Sequence, residues 1–96
     1  MKIDQKAIEQ YQELCHLSAM KCETLFDIEY KIERAIALGQ LIEMTSETKM
    51  YRYYNLNFVV KNNKVVRIYR SRSIPEVFIN EKIKFQYDRI HRKILV

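Results

Sequence analysis

The stretch YRYYNLNFVVKNNKVVRIYRSR, residues 51–72, decides how this chain folds. Lys61-Asn62-Asn63-Lys64 separates two runs rich in Val, Ile, Tyr and Phe, residue types that suit a pleated, half-buried surface. After Gly, Asn tolerates positive φ best, so Asn62-Asn63 predicts a two-residue hairpin turn. That turn sets Val60 opposite Val65 and carries a regular pairing down both strands. One face then holds Tyr54, Leu56, Phe58, Val60, Val65, Arg67 and Tyr69, and reads mostly as core. The other holds Tyr51, Tyr53, Asn55, Asn57, Val59, Val66, Ile68, Arg70 and Arg72. It is apolar only near the turn and becomes Tyr, Asn and Arg towards the open end. A three-residue loop would shift one strand by one position and turn its side chains over.

Working outward, Asp4 is placed to cap a helix running from about Gln5 to Cys22, with Ala7, Tyr11, Leu14, Ser18 and Cys22 at helical spacing. Thr24 to Asp27 matches a capping box and opens a second helix with Leu25, Ile28, Ile32, Ala35 and Ile36 as its apolar stripe. Gly39 is expected as the left-handed residue that ends it. Gln40 to Thr45 reads as a short strand and SETK as a turn. Ser73, Pro75 and Glu76 read as the start of a third helix, from about Ile74 to Arg92. In that helix Ile79, Ile83, Tyr87, Ile90 and Ile94 make the expected core stripe, while the tail RKILV could instead leave as a strand. The expected fold is α+β, a single domain over 1–96: two N-terminal helices, a three-stranded antiparallel meander and a C-terminal helix, with helices on one side of the sheet.

Charge is divided unevenly. Residues 1–48 hold five Lys/Arg and nine Asp/Glu, a net of −4, whereas residues 49–96 hold twelve and three, a net of +9, giving +5 for the chain. Either the halves attract each other, within the fold or in a homodimer, or the basic half meets phosphate or an acidic protein. The chain has no apolar run of the ~20 residues that cross a membrane and no apolar leader, so a cytoplasmic protein without a membrane partner is expected. Cys15 and Cys22 on one helix would lie ~10 Å apart, too far for a disulfide or a shared metal, and reduced thiols are expected.

One Gly cannot build a phosphate-cradling loop, and no nucleophile elbow is present. No metal or cofactor is expected. The polar hairpin face has the chemistry of a nucleic-acid platform. Tyr51 and Tyr53 offer rings for stacking, Asn55 an amide, and Arg70 and Arg72 guanidiniums for phosphate, while Arg67, on the other face, adds to the basic strand end as a nucleic-acid contact. Lys82, Arg89, Arg92 and Lys93 lie largely off the last helix's apolar stripe and extend the basic surface. The alternative is an ordinary solvated strand face. A metal-independent ribonuclease could use His16 or His91 as the acid-base group, with Arg70 and Arg72 stabilising the developing phosphorane.

The segment IERAIALGQLIEM…YRYYNLNFVVKNNKVVRIYRSR, residues 32–72, resembles the small RelE- and BrnT-like proteins of toxin-antitoxin and phage origin. The resemblance implies a basic β-meander with helices to one side and, in many members, messenger-RNA cleavage neutralised by an antitoxin. Some of these families carry a His closely followed by Arg in an early helix; here CHLSAMKC offers His16 with only Lys21 nearby. The expected function is binding RNA or nucleic-acid machinery, extending to toxin-like RNA cleavage. The alternative is a noncatalytic phage or mobile-element inhibitor or adaptor whose partner is a protein, such as a host nuclease or a CRISPR effector.

Overall fold

A computed structural model of the chain describes residues 2–16, 20, 24–72 and 77–91. In chain order the elements are β1 (Lys2–Ile3), α1 (Gln5–Leu14), α2 (Leu25–Leu38), β2 (Gln40–Met44), β3 (Thr48–Tyr53), β4 (Leu56–Lys61), β5 (Lys64–Arg70) and α3 (Glu81–Ile90). The strands form one mixed sheet in the order β1-β5-β4-β3-β2. The fold is α+β, but the sheet is five-stranded rather than a three-stranded meander.

Two features account for the difference. The run expected as one strand breaks at Tyr54-Asn55, a two-residue turn that folds β3 back on β4 with Tyr53 opposite Leu56. Tyr54 takes φ 54° to make it. At the N-terminus, Lys2 and Ile3 add a parallel edge strand, pairing Lys64 and Val65. Beyond those two residues α1 meets the β5 edge, and the Ile68 N–H donates to Gln10 Oε1 at 2.8 Å. A covered edge does not template pairing with another chain.

The Asn62-Asn63 turn is as expected, with φ 51° and 58° and Val60 opposite Val65. The regular pairing then fails by one residue. Val59 pairs Arg67, so Val66 is an extra residue in β5, a β-bulge. From there on the side chains of β5 are turned over relative to the expected faces. Phe58 pairs Ile68, and both are buried; Asn57 pairs Tyr69.

Helices α1 and α2 cover one face. Ala7, Ile8 and Tyr11 from α1 and Ile28, Ile32, Ala35 and Ile36 from α2 pack on Leu56, Phe58, Val60, Val65 and Ile68. Asp4 caps α1 through the Lys6 N–H, and Thr24 and Asp27 form the full capping box on α2. α1 ends at Leu14 with Cys15 as its C-cap, short of the expected Cys22, which lies outside the described residues.

Gly39 ends α2 for a different reason from the one expected. Its φ of −72° and ψ of 171° are extended, not left-handed. A Cβ there would stand 2.6 Å from the Ala35 carbonyl oxygen and 2.7 Å from that of Arg52. Glycine is needed because the end of α2 presses against the backbone of β3.

The last helix also departs from expectation. α3 starts at Glu81 with Asn80 as N-cap. The SIPE signal at residues 73–76 lies outside the described residues, and Val77 pairs in an isolated bridge with Tyr54. None of the ten residues of α3 is buried, so its Ile stripe is not core. Polar contacts fasten it instead: Arg34 Nη1 donates to both Asp88 carboxylate oxygens, at 2.8 and 3.1 Å, and the Tyr30 hydroxyl donates to Asp88 at 2.7 Å. Although burial opposes the charge, Asp88 more than offsets it and holds the Arg34 guanidinium firmly protonated.

Candidate nucleic-acid interface on the open sheet face

Residues opposite one another across a ladder share a face. The strand register therefore assigns the face turned away from α1 and α2. One row runs Lys2, Lys64, Lys61 and Thr48; the next Arg67, Val59, Met50 and Glu43; the third Tyr69, Asn57, Arg52 and Gln40. Five cations and one carboxylate share this face. Its salt bridges are at the Lys61–Lys64 end and loose, Lys64 to Asp4 at 3.6 Å and Lys61 to Glu47 at 4.0 Å, so the charge stays available.

Where the bulge sets Arg67 and Tyr69 outward, the face forms a shallow groove of about 630 Å³. Its groups are ordered by one another. The Arg67 guanidinium carbon lies 4.5 Å over the centre of the Tyr69 ring. The Tyr69 hydroxyl donates to Met50 Sδ at 3.4 Å. Arg52 Nε donates to Asn57 Oδ1 at 3.0 Å, and Asn57 is buried beneath it. Asn57 thus positions a guanidinium and is not itself an edge reader. Arg72 also lines the groove. The groove thus brings an aromatic ring and three guanidiniums together beside one carboxylate, Glu43, a set of groups able to meet bases and phosphates.

The expected site residues divide. Arg67 and Arg72 are in the groove. Arg70 is at its rim, but its guanidinium turns to the helix side and donates to the Leu14 carbonyl at 3.3 Å. Tyr51 and Tyr53 are not on the open face. They pair Phe58 and Leu56 and pack against the core, and burial pushes the Tyr53 hydroxyl up. Asn55 is in the β3–β4 turn, where its carbonyl accepts from the Ser71 N–H. Lys82 and Arg89 are exposed on α3, on the helix side, and Arg92 and Lys93 lie outside the described residues.

Neither histidine is on the open face. His16 follows α1, which packs on the opposite side. His91 caps α3, stacked 4.0 Å from the Tyr87 ring with Nδ1 at 2.8 Å from the Tyr87 carbonyl oxygen. The structure does not bring either imidazole into the groove with Arg67 and Arg72.

Reading the sequence alone missed Arg52, Tyr69 and the three lysines. The sequence carries no mark of the bulge, because Val66 and Ile68 alternate as an unbroken strand would; only the structure shows Val65 and Ile68, three positions apart, buried on one face. Among the described residues no group of His, Cys, Asp and Glu suits a metal ion, and no helix is long and apolar enough to cross a membrane. Comparison with protein-family models, curated proteins and solved structures returned no match, so the chain's own geometry is the ground for any functional reading.

Proposed function

We propose that this protein binds single-stranded RNA on the open face of its sheet. The observation that carries the reading is the groove lined by Arg52, Arg67 and Arg72, with Arg67 over Tyr69, on a face whose ladder rows hold five cations and one acid, Glu43, and to which Arg72 adds a sixth cation. A stacking ring tolerates any base, and guanidiniums follow the backbone, so binding is expected to be weakly sequence-dependent and strongly salt-dependent. With both histidines on the helix side, the reading is one of binding. Toxin-like cleavage at this face would need an acid-base group other than His16 or His91.

Fluorescence anisotropy of a labelled single-stranded RNA across a salt series tests it. Affinity should fall steeply as salt rises, with a log–log slope of about −0.7 per phosphate contacted. No binding at low salt would refute the reading.

A noncatalytic adaptor or inhibitor with an acidic protein partner is the second reading. The last helix favours it: Ile83, Phe85 and Ile90 are exposed there, as is Phe78 just before it, beside the cations Lys82 and Arg89. An exposed apolar patch rimmed by charge suits a protein surface more than RNA. RNA binding that survives loss of the groove arginines would favour this second reading.

A further inference from the structure

The helix side of the sheet holds a second concave feature that the RNA groove does not use. The β3–β4 turn and the three helices enclose a recess of about 290 Å³. Three cations line it, Lys31 and Arg34 from α2 and Lys84 from α3, and no carboxylate is among the lining residues. The acids that answer Arg34 and Lys84 stand behind or outside the wall. Asp88 holds Arg34 from α3, and Glu81, 3.0 Å from Lys84, is 84 % exposed. Lys31 is only 8 % exposed, an uncommon position for a lysine.

Aromatic rings complete the recess. Tyr53 and Tyr54 meet edge to face at 4.7 Å, and Lys84 Nζ is 5.9 and 4.9 Å from their centres. Burial works against the Lys84 charge, yet the Tyr54 hydroxyl and Glu81 outweigh it and raise the ammonium above its usual value.

Tyr54 is also the strained residue of the chain's β3–β4 turn. A bulky side chain at φ 54° is a backbone outlier, and such strain persists only where its surroundings over-determine it. Here they do. The Tyr54 N–H donates to the Val77 carbonyl at 2.7 Å and the Val77 N–H donates back at 3.1 Å, while the Tyr54 hydroxyl donates to the Ile79 carbonyl at 3.1 Å. Strain held this firmly puts a ring at a cationic recess.

We propose that this recess binds a phosphate monoester carried on a flat heterocycle, the chemistry of a 5′-nucleotide. The phosphate accepts charge-assisted hydrogen bonds from Lys84, Arg34 and Lys31. The heterocycle packs on the Tyr53–Tyr54 pair. A volume close to the ~300 Å³ at which ligand cavities begin admits one nucleotide and not a strand. A free nucleotide and the 5′-phosphorylated end of an RNA share this chemistry.

Cys15 lines the recess and reports on it. The test is the rate of N-ethylmaleimide modification at Cys15, resolved from Cys22 by peptide mass spectrometry, in the wild-type protein. Adenosine 5′-monophosphate should slow Cys15 several-fold, and adenosine should not. Protection by the mononucleotide identifies a free nucleotide. Protection only by a 5′-phosphorylated tetranucleotide, compared with its 5′-hydroxyl form, identifies an RNA end. Lys84→Gln should weaken binding by about tenfold, the loss of one charge-assisted bond, and Lys84→Arg should restore most of it. Equal protection by adenosine and its monophosphate, or none by any of the four at millimolar concentration, overturns the proposal. The wild-type comparison decides even if the Gln variant does not fold.

Discussion

Within β4, Leu56, Phe58 and Val60 turn into the core under α1 and α2, while Asn57, Val59 and Lys61 belong to the open face. The same six residues thus build two surfaces of opposite character. One is an apolar core centred on Phe58, closed by Ile32 and Ala7. The other is cationic, with a tyrosine ring and three arginines. What separates them in β5 is one extra residue, Val66, which moves Ile68 into the core and Arg67 and Tyr69 out. A hydrophobic face and a charged face on one sheet need this kind of register control, because a slip of one position exchanges them.

The sharpest way to break the comparison is on the core face. Phe58→Ala removes a fully buried ring and should cost about 3–5 kcal/mol of stability in urea unfolding. Less than ~1 kcal/mol would mean that Phe58 is not the centre of the core. Next comes the contact that fixes α2 on β3. Gly39→Ala forces backbone apart at both the Ala35 and Arg52 carbonyls and should cost about 1–3 kcal/mol. Unchanged stability would show that this approach is loose.

The open face should respond in binding and not in stability. Arg67→Ala with Arg72→Ala should lower RNA affinity about tenfold near 0.1 M salt and flatten the salt slope by about 1.4, two phosphate contacts of ~0.7 each. The melting temperature should barely move, since both side chains are exposed.

Alkaline pH probes the helix side through three of its tyrosines. Burial, aided by Asp88, raises the Tyr30 hydroxyl above its usual value near 10, and burial likewise raises Tyr53 and Tyr87. Folding therefore favours the neutral phenols. Their contribution is whole below about pH 10 and is lost as pH climbs past it, because the unfolded chain releases those protons first. Thermal melts from about pH 9 to about pH 11 should show falling stability, and a flat profile would contradict the burial of these rings. The smallest effect belongs to Val59→Ala, beside Phe58 in sequence but on the open face, at less than about 1 kcal/mol.

Much of the helix-covered side was legible in the sequence. The capping residues Asp4 and Thr24, the stripe through Ile28, Ile32 and Ile36, and the Asn62-Asn63 turn all carry local signals that survive packing. The candidate site was less so, because it depends on two irregularities. A tyrosine at positive φ is not a turn signal, so the Tyr54-Asn55 turn was hidden inside an apparent strand, and Tyr51 and Tyr53 were put on the wrong face. The bulge at Val66 is silent in the sequence, where Val66 and Ile68 keep the alternation of an unbroken strand. For α3, helical periodicity at Ile79, Ile83 and Ile90 reads as burial in any sequence, and only the fold reveals that α2 meets this helix at Tyr87 and Asp88 while Ile83 and Ile90 stay exposed.

The central claim is that RNA lies on the open face, and amide chemical-shift mapping tests it most directly. Titrating ¹⁵N-labelled protein with a short single-stranded RNA at low salt should move the amides of Arg52, Asn57, Arg67 and Tyr69 and leave those of Ala7, Ile32 and Ala35 in place. Shifts confined to α3 or to the helix side, with the groove residues still, would contradict the account.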